Sequence, residues 1–162
     1  MKRRNGFTLV ELMIVVCLLA FIGAIGGLLL NNYTLNRNLK TAARDIASDF
    51  AIFKERAVSE NITYQITFDT TVPGSYIIQS VVAGVTTNVT TKRPSAFGSG
   101  IRIVGVTFGP GASQTVIFSP RGTVSPLGNA VLDGVVLQNS RNSQATITVN
   151  LTGRTYVTFN II

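Results

Sequence analysis

The strongest constraint on this chain is an apolar run of 24 residues, from Phe7 to Leu30, whose one charged residue is Glu11. At about 1.5 Å per helical residue the run is roughly 36 Å long, which is enough to cross a hydrocarbon core of about 30 Å. It begins directly after the short basic segment MKRRNG. The apolar core of a secretory signal peptide is shorter, about 7 to 15 residues, and ends in a small-residue cleavage site. The sequence therefore predicts a membrane-spanning helix over residues 7–30.

The single acid in this run requires a compensating charge, because a carboxylate within a bilayer costs about 2.5 to 3.5 kcal/mol. Cleavage after Gly6 would expose the α-amino group of Phe7, a cation about one helical turn from Glu11. In an array of packed helices, the amine of one subunit would neutralise the glutamate of its neighbour. From the residues alone, the alternative is an ordinary single-span anchor with Glu11 at the membrane interface.

The basic segment and the start of the apolar run, KRRNG followed by FTLVEL, resemble the class III signal of type IV prepilins and type II secretion pseudopilins. The resemblance implies that residues 1–6 are a leader and that a prepilin peptidase cuts between Gly6 and Phe7. It further implies N-methylation of Phe7, a role for Glu11 in assembly with other pilin or pseudopilin subunits, and an inner-membrane assembly platform as partner.

The charge of the leader predicts the orientation of the chain. Basic residues stay on the cytoplasmic side, so the part after the span is translocated. We expect a single-pass protein of the bacterial inner membrane with its head in the periplasm, which later enters a periplasmic or extracellular filament.

After the apolar run the pattern becomes amphipathic, because apolar side chains recur every three or four residues, as in a helix with one buried face. These side chains are Leu35, Leu39, Ala42, Ala43, Ile46, Phe50, Phe53 and Ala57. The opposite surface, expected to face solvent or another subunit, carries Arg37, Lys40, Arg44, Asp45, Asp49, Lys54 and Glu55. We therefore predict one helix from about Phe7 to about Glu60, with residues 31–60 as the amphipathic continuation of the span.

Residues 61–162 are rich in Thr, Val, Ile, Phe and Gly, which suit pleated strands and their turns. The strand candidates are Ile62–Phe68, Tyr76–Val82, Val85–Thr91, Ile101–Phe108, Thr115–Ser119, Gly134–Gln138, Ala145–Leu151 and Arg154–Ile161. The predicted fold is α+β and pilin-like. The first half of a long N-terminal helix spans the membrane, and its second half packs against an antiparallel β-sheet head of about seven or eight strands.

A second resemblance covers most of the chain. The order of a long helix, several strands, the segment Phe118–Gly122 (FSPRG) and a final hairpin carrying Thr152–Arg154 (TGR) is similar to that of the GspH/FimT family of minor pilins and minor pseudopilins. This resemblance implies a subunit that primes or caps a filament. The sequence thus predicts a minor pilin or pseudopilin of a type IV pilus or a type II secretion filament.

The last predicted strand suggests an alternative function. Arg154 and Tyr156 are expected side by side on its outward face, and such a pair suits phosphate contact with base stacking on single-stranded nucleic acid. In FimT proteins of DNA-uptake systems the resemblance implies a Gly-Arg-x-Arg motif that contacts DNA, whereas this chain reads GRTY over Gly153–Tyr156. The other cationic candidates are Lys92, Arg93, Arg102 and Arg121. The alternatives are therefore a DNA-binding minor pilin and arginines that are solvated or pair with a neighbouring subunit.

The inventory of reactive side chains argues against an enzyme. The chain has no histidine, its single cysteine is Cys17 in the apolar run, and residues 61–162 contain two acids, Asp69 and Asp133. Neither a nucleophilic triad nor a metal cluster can be built from the customary ligands. We predict no catalytic activity, no metal site, no cofactor and no intrachain disulfide.

Overall fold

A computed structural model of the chain describes residues 8–126 and 133–162, with the side chains of residues 24–32 outside the described part. One helix, α1, covers Leu9–Glu60, so the predicted end of the helix near Glu60 is confirmed. The chain divides into two compact units, Met1–Thr34 and Leu35–Ile162. The predicted leader and Phe7 lie outside the described residues.

The N-terminal unit carries the predicted membrane span. Its large apolar side chains between Leu9 and Ile22 are each at least 42% exposed. Among the residues whose placement is described, however, no helix combines the length and apolarity that crossing a membrane would need. The prediction of a span over residues 7–30 is therefore not confirmed, and Phe7 and the side chains of residues 24–32 lie outside the described part.

In the described part that follows the helix, nine strands form two antiparallel sheets. The strands are β1 Thr63–Asp69, β2 Ser75–Val82, β3 Val85–Lys92, β4 Arg102–Thr107, β5 Thr115–Phe118, β6 Val124–Ser125, β7 Gly134–Gln138, β8 Gln144–Val149 and β9 Thr155–Asn160. The first sheet has the order β3-β2-β1-β5-β6, and the second has the order β4-β7-β8-β9. The α+β prediction is confirmed, and the division of the head into two sheets is a finding of the structure.

The core lies between the amphipathic part of α1 and the two sheets. The predicted helical stripe is buried from Leu39 to Ala57, and alternate residues of the strands meet it. The ring of Phe50 lies at its centre, 5.7 Å from the ring centroid of Phe118 and 6.2 Å from that of Phe68. Because each fully buried aromatic of this kind contributes about 1.5 to 3 kcal/mol, this cluster holds the helix to the head.

One part of the predicted solvent face of the helix is wrong. Asp49 is 4% exposed and therefore belongs to the buried side of α1. It lies three residues after Ile46 and four before Phe53, which places it on the same helical stripe as those two core residues. A buried carboxylate must be paired and hydrogen-bonded, and its partners come from the first sheet.

Candidate functional sites

The first candidate site is the beginning of α1. The backbone N–H of Glu11 donates a hydrogen bond to Oγ1 of Thr8 at 3.2 Å, and the N–H of Leu12 donates to the carbonyl oxygen of Thr8 at 3.1 Å. Thr8 is thus the N-cap of the helix, and Thr8-x-x-Glu11 has the pattern of a capping box. A carboxylate in the first turn also interacts favourably with the positive end of the helix dipole.

The first turn of the helix gives Glu11 a local role that the sequence reasoning missed, because its backbone N–H bonds to the N-cap Thr8 and its carboxylate favours the positive end of the helix dipole. That reasoning considered the charge of Glu11 and its pairing with the Phe7 amine, although the T-x-x-E pattern was legible in the sequence. The structure places Glu11, which is exposed, in the first turn of α1. Of the three predicted processing and assembly residues, Gly6 and Phe7 lie outside the described residues.

The second site is a cluster of charged and polar groups that joins the β2–β3 hairpin to the helix. Nζ of Lys92 lies 2.8 Å from Oδ1 of Asp49 and 3.1 Å from Oδ2 of Asp45. The hydroxyl of Tyr76 donates to Oδ2 of Asp49 at 2.8 Å and lies 3.1 Å from Oδ2 of Asp45. The two carboxylates are one helical turn apart, so a single cation between them offsets their mutual repulsion.

This cluster shifts the pKa of its members. Burial of the ammonium group lowers the pKa of Lys92, but its hydrogen bonds to Asp49 and Asp45 outweigh that effect and the pKa is raised. Burial, together with the charges of Asp49 and Asp45 and the hydrogen bonds to them, raises the pKa of Tyr76 far above its ordinary value. The raised pKa values keep the Lys92 ammonium charged and the Tyr76 hydroxyl protonated, so that both can donate to the two carboxylates.

The structure removes Lys92 from the set of free cations. Its ammonium is shared by two carboxylates, so a phosphate would have to compete with an existing ion-pair network. Arg93, the next residue, is exposed and lines a cavity of about 310 Å³ together with Asp45 and Phe97. The cluster therefore acts first as a link between helix and hairpin.

Arg102 lies in a different part of the head. Nη2 and Nε of Arg102 donate to Oε1 of Gln138 at 2.7 and 3.2 Å. The strand register pairs Gln138 with Gln144, and Gln144 with Asn160 at the last residue of β9. At about 3.3 Å per residue, this end of the second sheet lies roughly 17 Å from the beginning of β9, next to Arg154.

Arg154 and Tyr156 form the pair that the sequence predicts. Both are exposed, and Cζ of Arg154 lies 5.2 Å from the ring centroid of Tyr156. The turn before β9 is fixed by Asn150, whose side-chain Oδ1 accepts from the N–H of Arg154 at 2.8 Å and whose carbonyl oxygen accepts from the N–H of Gly153 at 2.8 Å. The left-handed φ of 72° at Gly153 suits glycine, and it directs the chain into the strand.

Two glycine turns, each next to a candidate arginine in the sequence, approach the helix at Lys54. A Cβ added at Gly153 would lie 2.5 Å from Cδ of Lys54, and one added at Gly122 would lie 3.8 Å from its Cε. Gly122 directly follows Arg121, and Gly153 directly precedes Arg154. The N–H of Val124 donates to the carbonyl oxygen of Leu151 at 3.1 Å and joins the two turns.

The structure divides the six candidates named from the sequence. Arg154 and Tyr156 are in contact, whereas Lys92 is paired with two carboxylates and Arg102 is bonded to Gln138. Arg93 and Arg121 are exposed. Sequence reasoning placed Lys54 on the solvent face of the helix. The sequence does not predict that the turns at Gly122 and Gly153 both approach the Lys54 side chain.

Comparisons with known proteins agree with this geometry. A family model of the prokaryotic N-terminal methylation motif matches residues 1–28, and a model of the type II transport protein GspH matches residues 42–153. The fold is similar to that of the minor pseudopilin EpsH from the type 2 secretion system of Vibrio cholerae, with a TM-score of 0.58 and 12% identity. That match covers 75% of this chain and 97% of the other. No curated protein matches the chain.

Proposed function

This chain belongs to the family of the type II transport protein GspH, and we propose that it is a minor pseudopilin that contributes to the priming or tip of a type II secretion filament. The observation that carries the proposal is the presence of two matched regions on one chain. The methylation motif covers residues 1–28 and the GspH region covers residues 42–153. Helix α1, Leu9–Glu60, begins in the first region and ends in the second.

In this proposal a prepilin peptidase cuts between Gly6 and Phe7, and Phe7 becomes N-methylated. Glu11 then pairs with the new amine of a neighbouring subunit as the helices pack together. The cap at Thr8 supports this role because it keeps Glu11 in the first helical turn. The exposed apolar side chains from Leu9 to Ile22 supply the surface that neighbouring helices would cover.

The proposed partners follow from this assembly. They are the prepilin peptidase, the other pseudopilin subunits and an inner-membrane assembly platform. The subunit is held in the inner membrane through its N-terminal region before assembly, and its head then lies in the periplasmic filament. The charge of the leader supports this orientation.

The proposed role is structural and not enzymatic. Within the part of the chain that the structure describes, no group of three or more His, Cys, Asp or Glu side chains could hold a metal ion. The alternative of a DNA-binding minor pilin is not favoured. Lys92 is bound to two carboxylates, Arg102 lies at the far end of the second sheet from Arg154, and Tyr156 stands where the FimT motif has its second arginine.

The test separates the charge of Glu11 from its place in the first turn of the helix. Glu11→Gln removes the charge, and a glutamine at this position can still cap the helix. We expect normal amounts of processed protein in the membrane fraction and loss of the subunit from sheared filaments. Glu55→Gln, which removes an exposed acid from the same helix, is the matched control and should leave incorporation unchanged. Normal incorporation of the Glu11→Gln chain would contradict the proposed assembly role.

A further inference from the structure

We propose that the free edge of strand β3, Val85–Lys92, pairs with β3 of a second copy of this chain. The contact is an antiparallel strand pair, which joins the first sheets of two heads into one continuous sheet across a two-fold axis. The inference concerns the head and does not rest on the role proposed for the chain in secretion.

Strand β3 is the outermost strand of the first sheet, and within the described residues it pairs on one side alone, with β2. Every residue from Val82 to Val89 is exposed, so the described part of the head leaves this edge uncovered. An edge strand carries a row of backbone N–H and C=O groups that point away from its sheet, and such a row is a template for another strand.

The turn between β2 and β3 determines which backbone groups of β3 point outward. Its two central residues, Ala83 and Gly84, have φ values of 49° and 82°, as in the two-residue type I′ turn of a hairpin. The residues that flank such a turn form a hydrogen-bonded pair, and bonded and non-bonded pairs alternate from there along the strands. The N–H and C=O groups of Thr86 and Asn88 therefore point away from β2.

A ladder of side-chain hydrogen bonds reaches the same edge and ends there. The strand register places Gln65 of β1, Gln79 of β2 and Asn88 of β3 side by side. Nε2 of Gln65 donates to Oε1 of Gln79 at 2.7 Å, and Nε2 of Gln79 donates to Oδ1 of Asn88 at 2.7 Å. The amide nitrogen of Asn88 is the next donor in this series, and it has no acceptor within the described residues. The ladder thus offers its last donor to a strand added beside β3.

The occupant is assigned as a second copy because the edge is complementary to itself. When two β3 strands run antiparallel with Thr87 opposite Thr87, Thr86 of each copy lies opposite Asn88 of the other. The outward backbone groups of these residues then form four hydrogen bonds, and the free amide of each Asn88 meets the hydroxyl of the opposing Thr86. This register leaves Val89, the extra residue of β3 relative to β2, at the end of the contact.

The distribution of charge permits two copies to meet at this edge, although the chain has a net charge of +7. No charged residue occurs between Ser75 and Thr91, a range that covers β2, the turn and β3 as far as Lys92. Lys92 is itself bound to Asp45 and Asp49. Strand β3 thus lacks the free charges and the proline with which natural proteins protect exposed edges from pairing.

The first test is disulfide cross-linking of the full chain in detergent. Cys17→Ser removes the single cysteine of the chain, and Thr87→Cys places a thiol at the two-fold axis of the proposed pair. Neighbouring strands lie about 4.8 Å apart, which is within the range in which two cysteines form a disulfide. The matched control is Val82→Cys, which is exposed on the same hairpin but lies on β2, so that its two copies are about 14 Å apart. We expect a disulfide-linked dimer from Thr87→Cys and none from Val82→Cys.

The second test measures the dissociation constant of the dimer by sedimentation of the Cys17→Ser chain in detergent. Asn88→Asp keeps an oxygen that accepts from Gln79 but removes the amide donor from each copy. The dimer loses two hydrogen bonds, so its dissociation constant should rise by about fivefold or more. Asn142→Asp makes the same change at an exposed asparagine in the turn between β7 and β8, and it should leave the constant unchanged.

Thermal unfolding of each variant reports whether the head stays folded. If Asn88→Asp lowers the unfolding temperature, Thr86→Val replaces it, because this change removes the opposing hydroxyl and should also weaken the dimer.

Three results would overturn the inference: Thr87→Cys gives no disulfide-linked dimer, Val82→Cys cross-links equally well, or Asn88→Asp leaves the dissociation constant unchanged. Cross-linking of Thr87→Cys to a different protein in place of a second copy would overturn it as well, because another chain would then occupy the edge.

Discussion

Replacing Lys92 by methionine should destabilise the head by about 2 to 4 kcal/mol. The change keeps the aliphatic stem and removes the ammonium group that lies 2.8 Å from Asp49 and 3.1 Å from Asp45. The Asp49 side chain is 6% exposed, so loss of this charged hydrogen bond costs about 1.5 to 3 kcal/mol. The Asp45 pair adds only about 0.2 to 1 kcal/mol, because the two side chains are 35% and 28% exposed and water screens the contact.

The total stays below the upper end of the range of about 3 to 5 kcal/mol for breaking a buried ion pair, because the Tyr76 hydroxyl still donates to Asp49. The assay is urea unfolding of residues 35–162, followed by far-UV circular dichroism, because this unit contains the whole core found in the described residues.

A double-mutant cycle supplies the control. In an Asp49→Asn background, Lys92→Met should cost less than half as much, because the charge that it leaves unpaired is already gone. The reasoning would be refuted if Lys92→Met changed the free energy of unfolding by less than about 0.5 kcal/mol, or if the cycle showed no coupling.

Two further predictions concern the same unit. Gly134→Ala should destabilise the unit by about 3 kcal/mol or more, because the new Cβ would overlap the carbonyl oxygen of Ile147 and lie 2.9 Å from Cα of Thr148. The control Gly105→Ala, whose Cβ would be 3.7 Å from its nearest neighbour, should cost little. Equal losses of unfolding free energy for the two variants in urea would contradict this prediction. The free energy of unfolding should also fall above about pH 10. The folded-state pKa values of Lys92 and Tyr76 lie above their ordinary values of 10.5 and 10.0. The stabilisation from these two groups is therefore present below about pH 10 and is lost as the pH rises further. Tyr76→Phe should make that fall shallower, and an unchanged slope in an alkaline urea series would count against the cluster.

The elements of the fold were largely predictable because each is set by local periodicity. The three-to-four-residue repeat from Leu39 to Ala57 and the alternation along β1 are both borne out by the burial pattern. Strand β6, Val124–Ser125, is too short to show any alternation and was missed. The division into two sheets was not predicted, because strand pairing depends on contacts between distant residues that no local pattern records.

Some features of the candidate sites could be predicted from the sequence and others could not, for the same reason. The outward pair of Arg154 and Tyr156 follows from alternation on one strand and was predicted. The pairing of Lys92 with Asp45 joins residues 47 positions apart, and no sequence periodicity connects them. The wrong prediction for Asp49 was avoidable, because its spacing of three residues from Ile46 places it on the buried stripe.

The intact mass of the chain, purified from the cells that make it, tests the central claim most directly. The account predicts a polypeptide that begins at Phe7 and is heavier by one methyl substituent at its amino terminus. A purified chain that still carries residues 1–6 would contradict processing as a pseudopilin, and with it the assembly through Glu11 that the proposed function requires.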